Sequence, residues 1–470
     1  MNSTASSPGE ASGPAADAKA PVSLKARILR AGSWSLVGHV GSQAIRLATS
    51  LIMTRLLMPE AFGLMAMTAA INLVVSLLTD IGIRQSIVQS SRGDEPLMLN
   101  TAWTMQVARG FIVWASCLLV ALGLYGAGAW GWLAAGSVYA APELPLVLAA
   151  ATFSAAIAGF ESSKRFTAER RLELKRINLI ELISLVVGLV VMAAIGWTLR
   201  SVWAFVFGGW VTTLLSVIFS HVWLRGHGNR FEWDKEGARE IVRFGRWILV
   251  SSLLWVLAAN GDRLLIGGWA SATVLGFYSI AAVLATTVDA AASRIFGSVA
   301  TPALSEVMRN NPERMREVYL RLRVPFDMAF VFAAGLLFAT GQVIVDFLYD
   351  VRYAEAGHIL QVLSFGLLFT RYGIAPSAYL AMGVPMILTR IHLGKVISLF
   401  VCVPLFHAMF GLEGAFWAIA LHVAPTLPIV FWFNAKYRLN SLRHELLSLL
   451  AWPAGWIIGM GFVKAIAALH

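Results

Sequence analysis

Four polar residues, Ser42, Arg46, Ser50 and Thr54, recur at every fourth position of an otherwise apolar stretch near the start of the chain. Residues four apart lie on the same face of an α-helix, so these side chains form one polar stripe. A guanidinium flanked by hydroxyls binds phosphate or carboxylate oxygens well. The stripe predicts an anion site that includes Ser42, Arg46 and Ser50; the alternative is a polar seam between helices in which an acid pairs with Arg46.

Further charged residues lie within apolar stretches along the chain, and basic residues outnumber acidic ones among them. A charge at the centre of a bilayer costs at least about 2.5–3.5 kcal/mol, so each one needs a partner, water or a ligand. The cationic excess favours an anionic ligand over a cationic one. The basic residues are Arg46, Arg109, Arg263, Arg294, Arg371, Arg390 and Lys395, and the acidic ones are Asp80, Glu181, Asp262, Asp289 and Asp327.

These residues divide into candidates for substrate binding and for ion coupling. Arg390 and Lys395 have an alternative as residues whose charges reach the lipid headgroups. The alternative for Arg263 is a solvated residue at the far interface. The alternative for Asp289 is a member of a structural ion pair. The predicted substrate-binding residues beside Ser42, Arg46 and Ser50 are Arg263, Arg371, Arg390 and Lys395, and the predicted ion-coupling residues are Asp262 and Asp289.

The composition requires that lipid solvate the elements that carry these residues. Apolar residues make up 58% of the chain and charged residues 13%, with a mean hydropathy of +0.71. Soluble domains have roughly a quarter charged residues. At about 20 residues per crossing, the chain has room for around a dozen helices. The predicted spans are 33–55, 62–83, 101–124, 144–162, 177–198, 202–224, 246–268, 275–298, 324–347, 358–381, 385–409 and 412–434, followed by a thirteenth apolar run at 447–468.

Basic residues between the predicted spans set the orientation. They concentrate in the tail and in alternate loops, such as 164–176 and 225–246, which places the N-terminus in the cytoplasm. The net charge of +11 is spread over short loops, so we predict membrane lipids rather than nucleic acid as its partner. Residues 1–32 are predicted as a disordered tail that ends in an amphipathic helix on the membrane surface. The spacing of Cys117 and Cys402 indicates no disulfide or metal site, and no cofactor is predicted.

The chain contains an internal repeat. Aligning Trp34 with Trp247 also aligns Leu51 with Leu264, and Gly63 with Gly276, without a gap. Both copies enter from the same side, so they are parallel repeats related by an axis along the membrane normal. The repeat predicts two six-helix lobes. Their predicted limits are 33–224 for the N-lobe and 246–434 for the C-lobe, with a cytoplasmic linker at 225–245 and a basic C-terminal segment with an extra helix at 435–470.

Two stretches at the start of the repeat are distinctive: residues 53–67 (MTRLLMPEAFGLMAM) and residues 78–89 (LTDIGIRQSIVQ). Together they resemble the opening hairpin and cytoplasmic elbow of oligosaccharide flippases in the multidrug/oligosaccharidyl-lipid/polysaccharide exporter superfamily. The branch they resemble most is that of the colanic-acid and succinoglycan exporters. Residues 275–279 (LGFYS) resemble the entry to the eighth helix of that branch.

The resemblance implies an all-α integral membrane protein whose two pseudo-symmetric six-helix bundles form a V around a central cavity, with a C-terminal helix added here. It implies transport of undecaprenyl-diphosphate-linked oligosaccharide repeat units across the bacterial inner membrane. Transport would proceed by alternating access, driven by an ion gradient. A polysaccharide polymerase and a chain-length regulator are the partners that the resemblance suggests.

Two other function classes are weighed against a flippase. A drug or cation antiporter of the same superfamily would share the two lobes but should have an acidic excess in its cavity. A membrane glycan polymerase or glycosyltransferase needs a sizeable aqueous loop with catalytic groups, whereas the loops here are short and carry no such constellation. We therefore expect a transporter rather than an enzyme.

Overall fold

The structure is a computed structural model that describes the backbone of residues 24–384 and 386–468. Within these ranges, the side chains of residues 24–31, 244–253, 255 and 289–299 lie outside the described part, and this includes the side chain of Asp289. Of the tail and amphipathic helix predicted at 1–32, residues 1–23 lie outside the described residues. The described chain is helical and contains no strand. Its α-helices are α1 Leu24–Leu56, α2 Pro59–Leu78, α3 Ile83–Gln89, α4 Pro96–Ala129, α5 Leu144–Gly159, α6 Lys164–Arg170, α7 Leu174–Leu199, α8 Trp203–Val222, α9 Lys235–Ile266, α10 Ala272–Asn310, α11 Met315–Leu348, α12 Glu355–Ser364, α13 Leu367–Thr370, α14 Ala375–Ala381, α15 Met386–Leu421, α16 Leu427–Lys436, α17 Leu442–Leu449 and α18 Ala451–Ala467.

Eight helical segments of the described chain are long and apolar enough to cross a membrane, and the bent pair α5–α6 makes a ninth if it is one span. One of the eight, Met386–Lys436, covers both the predicted eleventh and twelfth spans. The helix breaks between them at Gly411, whose φ of +65° favours glycine. Helices α1 and α9 have the length of spans but carry more polar residues, whereas the described side chains at the start of α10, Ala272–Val288, form an apolar stretch. A helix enclosed by others can carry such residues, since only its lipid-facing side must be apolar.

The helices form two bundles that follow the order of the chain. Helices α1, α2, α4, α5, α7 and α8 pack together in the first half, and α9–α12, α15 and α18 pack together in the second. The ends of the helices define two faces. We name the end where α1 begins, which also carries the loops rich in Lys and Arg, the basic face, and the other end the opposite face. The lobe limits stated above stay predictions.

The two halves meet where α2 crosses α10, and two glycines permit the contact. A Cβ at Gly63 would overlap the carbonyl oxygen of Ala272, and a Cβ at Gly276 would overlap that of Pro59. The internal repeat aligns Gly63 with Gly276, and the fold places these two residues against each other. This is the contact expected if a pseudo-two-fold axis passes between α2 and α10.

The segment between the halves lies against the first half near the basic face. Asn100 donates to the Glu232 carboxylate (2.9 Å), and Arg92 donates to Asp234 (3.0 Å). Asp234 caps α9 by accepting from the backbone N–H groups of Glu236 and Gly237. Burial alone would raise the pKa of Asp234, but these N–H groups and Arg92 hold it below its usual range. The predicted linker at 225–245 is therefore helical from Lys235 onward, and its helix continues into the second half.

The thirteenth apolar run is present as α18, which packs along α11. The approach is close because both helices carry glycine at the contact. A Cβ at Gly335 would overlap the carbonyl oxygen of Trp452, and one at Gly455 would overlap that of Phe332. The C-terminal helix is thus part of the second bundle.

Candidate functional site

Two adjoining cavities open among the helices of the first half, toward the basic face. The larger has a volume of about 530 Å³ and the smaller of about 220 Å³. Both are lined by Ala158, Glu161 and Thr213, so they form one polar space inside an otherwise apolar bundle. We name it the first-half cavity. Its other polar lining residues are Asn72, Ser76, Asp80, Arg84, Gln85, Gln106, Arg109 and Ser154 in the larger part, and Arg46, Arg165, Glu181, Ser184, Thr212 and Ser216 in the smaller.

Arg46 lines the smaller part of the cavity. It belongs to the polar stripe predicted on the first helix. Among the described residues it makes no hydrogen bond and no ion pair within 4 Å, although Glu181 lines the same space. The hydroxyl of Ser184 is 1% exposed and also has no hydrogen-bond partner there. An exposed, unpaired guanidinium beside an unpartnered hydroxyl can donate hydrogen bonds to the oxygens of an anionic ligand.

The other arginines of the cavity are engaged with acids or carbonyls. Arg109 donates to the carbonyl oxygens of Ser76 (2.9 Å) and Thr79 (3.1 Å), and its Nη2 lies 3.7 Å from Asp80 Oδ1. Arg165 pairs with Glu161 and lies 3.6 Å from Glu169, which also accepts from Arg84 at 2.5 Å. The lining contains four arginines, Arg46, Arg84, Arg109 and Arg165, and three acids, Asp80, Glu161 and Glu181. Glu169 lies outside the lining but pairs with Arg84 and Arg165, so the cationic excess of the cavity is one charge at most.

The remainder of the predicted stripe does not face the cavity as a unit. Ser42 is 6% exposed and donates to the carbonyl oxygen of His39 (3.0 Å) on its own helix. Ser50 lies 3.5 Å from the hydroxyl of Tyr349, which belongs to the second half. The stripe thus runs from the cavity at Arg46 to an inter-half contact at Ser50.

Arg371 lies in a buried ionic cluster of the second half. Its guanidinium lies 3.1 Å from Glu445 and donates to Ser448 Oγ (2.9 Å). Glu445 also accepts from Arg323 (2.5 Å), which in turn lies 3.0 Å from Asp327. Because Glu445 and Asp327 balance the two buried cations, the geometry favours a structural role for Arg371 over the predicted substrate contact.

The other predicted residues of the second half lie apart from the first-half cavity. The Arg263 guanidinium donates to Asn260 Oδ1 (3.0 Å) and lies 3.9 Å from Asp262 Oδ1. The hydroxyl of Tyr278 donates to the other oxygen of Asp262. Asp262 Oδ1 is buried without a hydrogen-bond partner. The exposed Arg390 lies over the ring of Phe433 at 5.9 Å, and Lys395 lies partly exposed one helical turn further on.

Asn72 and Glu161 belong to the cavity but were not among the residues singled out for binding. A sequence signal for the first existed, since Asn72, Ser76 and Asp80 recur every fourth residue along α2, as the stripe on α1 does. Glu161 carries no such signal, because it lies at the end of the predicted span 144–162, where a charge is expected at the interface. Among the described residues no group of three or more His, Cys, Asp or Glu side chains is placed to hold a metal ion.

Comparison with known proteins supplies the relationship that the geometry alone does not. A family model described as "polysaccharide biosynthesis protein" matches residues 52–356, more than half of the chain. The lipopolysaccharide biosynthesis protein WzxC of Escherichia coli (strain K12) is 23% identical over 349 residues, which cover 73% of this chain and 67% of that protein. An uncharacterized membrane protein in the cps region of Klebsiella pneumoniae is 21% identical over 310 residues, which cover 64% of this chain and 60% of that protein.

Two solved structures share the fold. The inward-facing conformation of a multidrug resistance MATE family transporter of the MOP superfamily matches with a TM-score of 0.62 and 14% identity, over 84% of this chain and 94% of that one. The lipid II flippase MurJ in its inward closed conformation also matches with a TM-score of 0.62, at 12% identity, over 93% of this chain and 99% of that one. The chain therefore has the two-lobed helical fold of these membrane transporters, and it belongs to the polysaccharide biosynthesis protein family whose model it matches.

Proposed function

We propose that this protein is a flippase that carries an undecaprenyl-diphosphate-linked oligosaccharide from the cytoplasmic to the outer leaflet of the bacterial inner membrane. The observation that carries the proposal is a polar, charge-lined cavity inside an apolar helical bundle, reaching the basic face at the exposed residues Arg84 and Gln85. A polar headgroup attached to lipid needs such a space, because the hydrocarbon layer excludes it. The basic face is then the cytoplasmic one, with the N-terminus on that side.

In this proposal Arg46 binds the diphosphate, since it is the cavity arginine that no described acid neutralises. Arg263, Arg390 and Lys395 remain proposed contacts from the second half. We leave Arg371 out, because Glu445 already pairs with it. Asp262 and Asp289 remain the proposed ion-coupling residues, and the buried, unpartnered Oδ1 of Asp262 supports the first of them.

The opposite face is closed by a set of contacts between the halves, which we name the latch. Arg352 donates to the carbonyl oxygens of Thr54 (3.3 Å) and Arg55 (3.1 Å), which are among those that end α1 and lack helical partners. Tyr353 donates to the carbonyl oxygen of Leu57, the residue that follows α1 (2.9 Å). Asp350 accepts from the Arg352 guanidinium, which together with the Arg352 backbone N–H holds the pKa of Asp350 below its usual range. Alternating access requires that the latch open.

Replacing Arg352 with Ala should open the opposite face, because the carbonyls at the end of α1 then lose their donor. We expect a cysteine placed at Ser50, next to Tyr349, to react several times faster with a membrane-impermeant maleimide applied from outside. Arg55→Ala is the matched control, since it removes a positive charge nearby but keeps the backbone carbonyl that Arg352 contacts. Equal rates in the Arg352 and Arg55 variants would show that Arg352 does not hold this face shut.

The decisive test of the proposed function is deletion of the gene, followed by assay of lipid-linked oligosaccharide in each leaflet. A flippase predicts accumulation in the cytoplasmic leaflet and loss of polymer. Single repeat units that reach the outer leaflet but stay unpolymerised would instead indicate a glycan polymerase. Normal polymer with altered drug susceptibility would indicate an antiporter, the class to which the MATE fold and the acids of the cavity also point.

A further inference from the structure

The two parts of the first-half cavity differ in chemistry. The larger part is lined by the side-chain amides of Asn72, Gln85 and Gln106 and by hydroxyls, and its charges are already paired. The smaller part holds Arg46, whose charge no described residue pairs. An anion entering the larger part would meet Asp80 and Glu161 and would have to break existing ion pairs. A group that is uncharged and rich in hydroxyls meets no such penalty.

We infer that the larger part of the first-half cavity binds the uncharged sugar rings of the substrate, while the diphosphate stays at Arg46. This inference rests on the proposed function and names the division of its site. Sugar hydroxyls both donate and accept, so they can bond amide groups and the free oxygens of paired carboxylates without any change in charge. A diphosphate accepts only and needs cations.

An unsatisfied acceptor marks the larger part as a place for a donor. Asn72 Oδ1 is buried on the wall of the cavity and has no hydrogen-bond partner in the described structure. A buried polar atom left unpaired is costly, so such atoms are normally satisfied by protein, water or ligand. If the Asn72 amide turns toward the cavity, a sugar hydroxyl can supply the missing donor.

The surrounding wall is held rigidly, which favours selective binding. The amide of Gln106 donates to the carbonyl oxygens of Gly159 and Glu161, each at 3.0 Å. Arg109 is fixed between two carbonyls at the end of α2, as described above. Gly110 allows α4 to approach α5 closely, since a Cβ there would lie 2.6 Å from the carbonyl oxygen of Ala155. Groups held in place before binding lose little entropy when the ligand arrives.

The test separates the two ligand parts with purified protein in lipid nanodiscs. The first probe is the reducing oligosaccharide released by mild acid from the lipid-linked pool of the source bacterium, and the second is farnesyl diphosphate. Isothermal titration should show that Asn72→Ala weakens oligosaccharide binding by about fivefold, as expected for one hydrogen bond, and leaves farnesyl diphosphate binding unchanged. Arg46→Ala should weaken the binding of farnesyl diphosphate and leave the binding of the oligosaccharide unchanged. Asn311→Ala, at an exposed asparagine outside the cavity, is the control.

The results distinguish failure of this inference from failure of the proposed function. Oligosaccharide that does not bind the wild-type protein, or that binds the Asn72 variant as well as the wild type, would overturn the sugar site. So would an Asn72 variant that loses farnesyl diphosphate instead. Selective loss of oligosaccharide binding, in a protein whose deletion leaves lipid-linked oligosaccharide evenly distributed between leaflets, would support the sugar site and end the flippase proposal.

Discussion

Replacing Arg46 with Ala should reduce glycan export by about 10- to 100-fold while leaving the amount of protein in the membrane unchanged. Arg46 lines the smaller part of the first-half cavity and pairs with no described acid, so its removal breaks no internal ion pair. The expected loss corresponds to charged hydrogen bonds to a phosphate, each worth about 1.5–3 kcal/mol. Polymer yield and protein abundance, measured in the same complemented deletion strain, check the result.

Two further variants make the Arg46 result specific. Arg46→Lys keeps the charge but not the planar fork, so it should restore export only in part. Arg239→Ala removes an exposed charge on α9 near the basic face, outside the cavity, and the variant should export glycan normally. Full export by the Arg46→Ala protein would remove this residue from the substrate site, and equal losses in both alanine variants would point to a general effect of charge.

Replacing Glu445 with Gln should destabilise the folded protein by about 3–5 kcal/mol, the cost of leaving buried charges without a partner. Glu445 pairs with Arg323 at 2.5 Å and Arg371 at 3.1 Å, and both arginines are less than 10% exposed. The cluster joins α11 and the residues after α13 to α17, so its loss should also loosen the C-terminal segment. Thermal unfolding in detergent is the measurement, with Glu317→Gln, at an exposed pair, as the control.

A double variant separates a structural Arg371 from one that binds substrate. If Arg371 serves the cluster, Glu445→Gln combined with Arg371→Met should be more stable than Glu445→Gln alone, because Arg323 keeps Asp327 as its partner and no uncompensated cation stays buried. It should also retain export. A double variant that recovers stability but cannot export would return Arg371 to the substrate site.

The sequence by itself determined the helical nature of the chain, its membrane setting and its family. Lipid around the chain requires long apolar helices, and the pattern that meets this requirement is local in the sequence. The same local periodicity placed Arg46, Ser50 and their neighbours on one face of α1. The resemblance of residues 53–67 and 78–89 to flippases of this superfamily agrees with the family found by comparison. The repeat identified Gly63 and Gly276 as equivalent positions.

Only the tertiary structure decided which of these residues meet. Arg371 pairs with Glu445, and Arg352 donates to carbonyl oxygens at the end of α1. Ser50 contacts the hydroxyl of Tyr349. These partners are far apart in the chain, and no helical period relates them. A helix sets the directions of its own side chains, whereas the packing of one helix face on another sets which charges become neutral and which stay open to a ligand. That is why Arg46 and Arg371, equivalent candidates by sequence, have opposite surroundings in the fold.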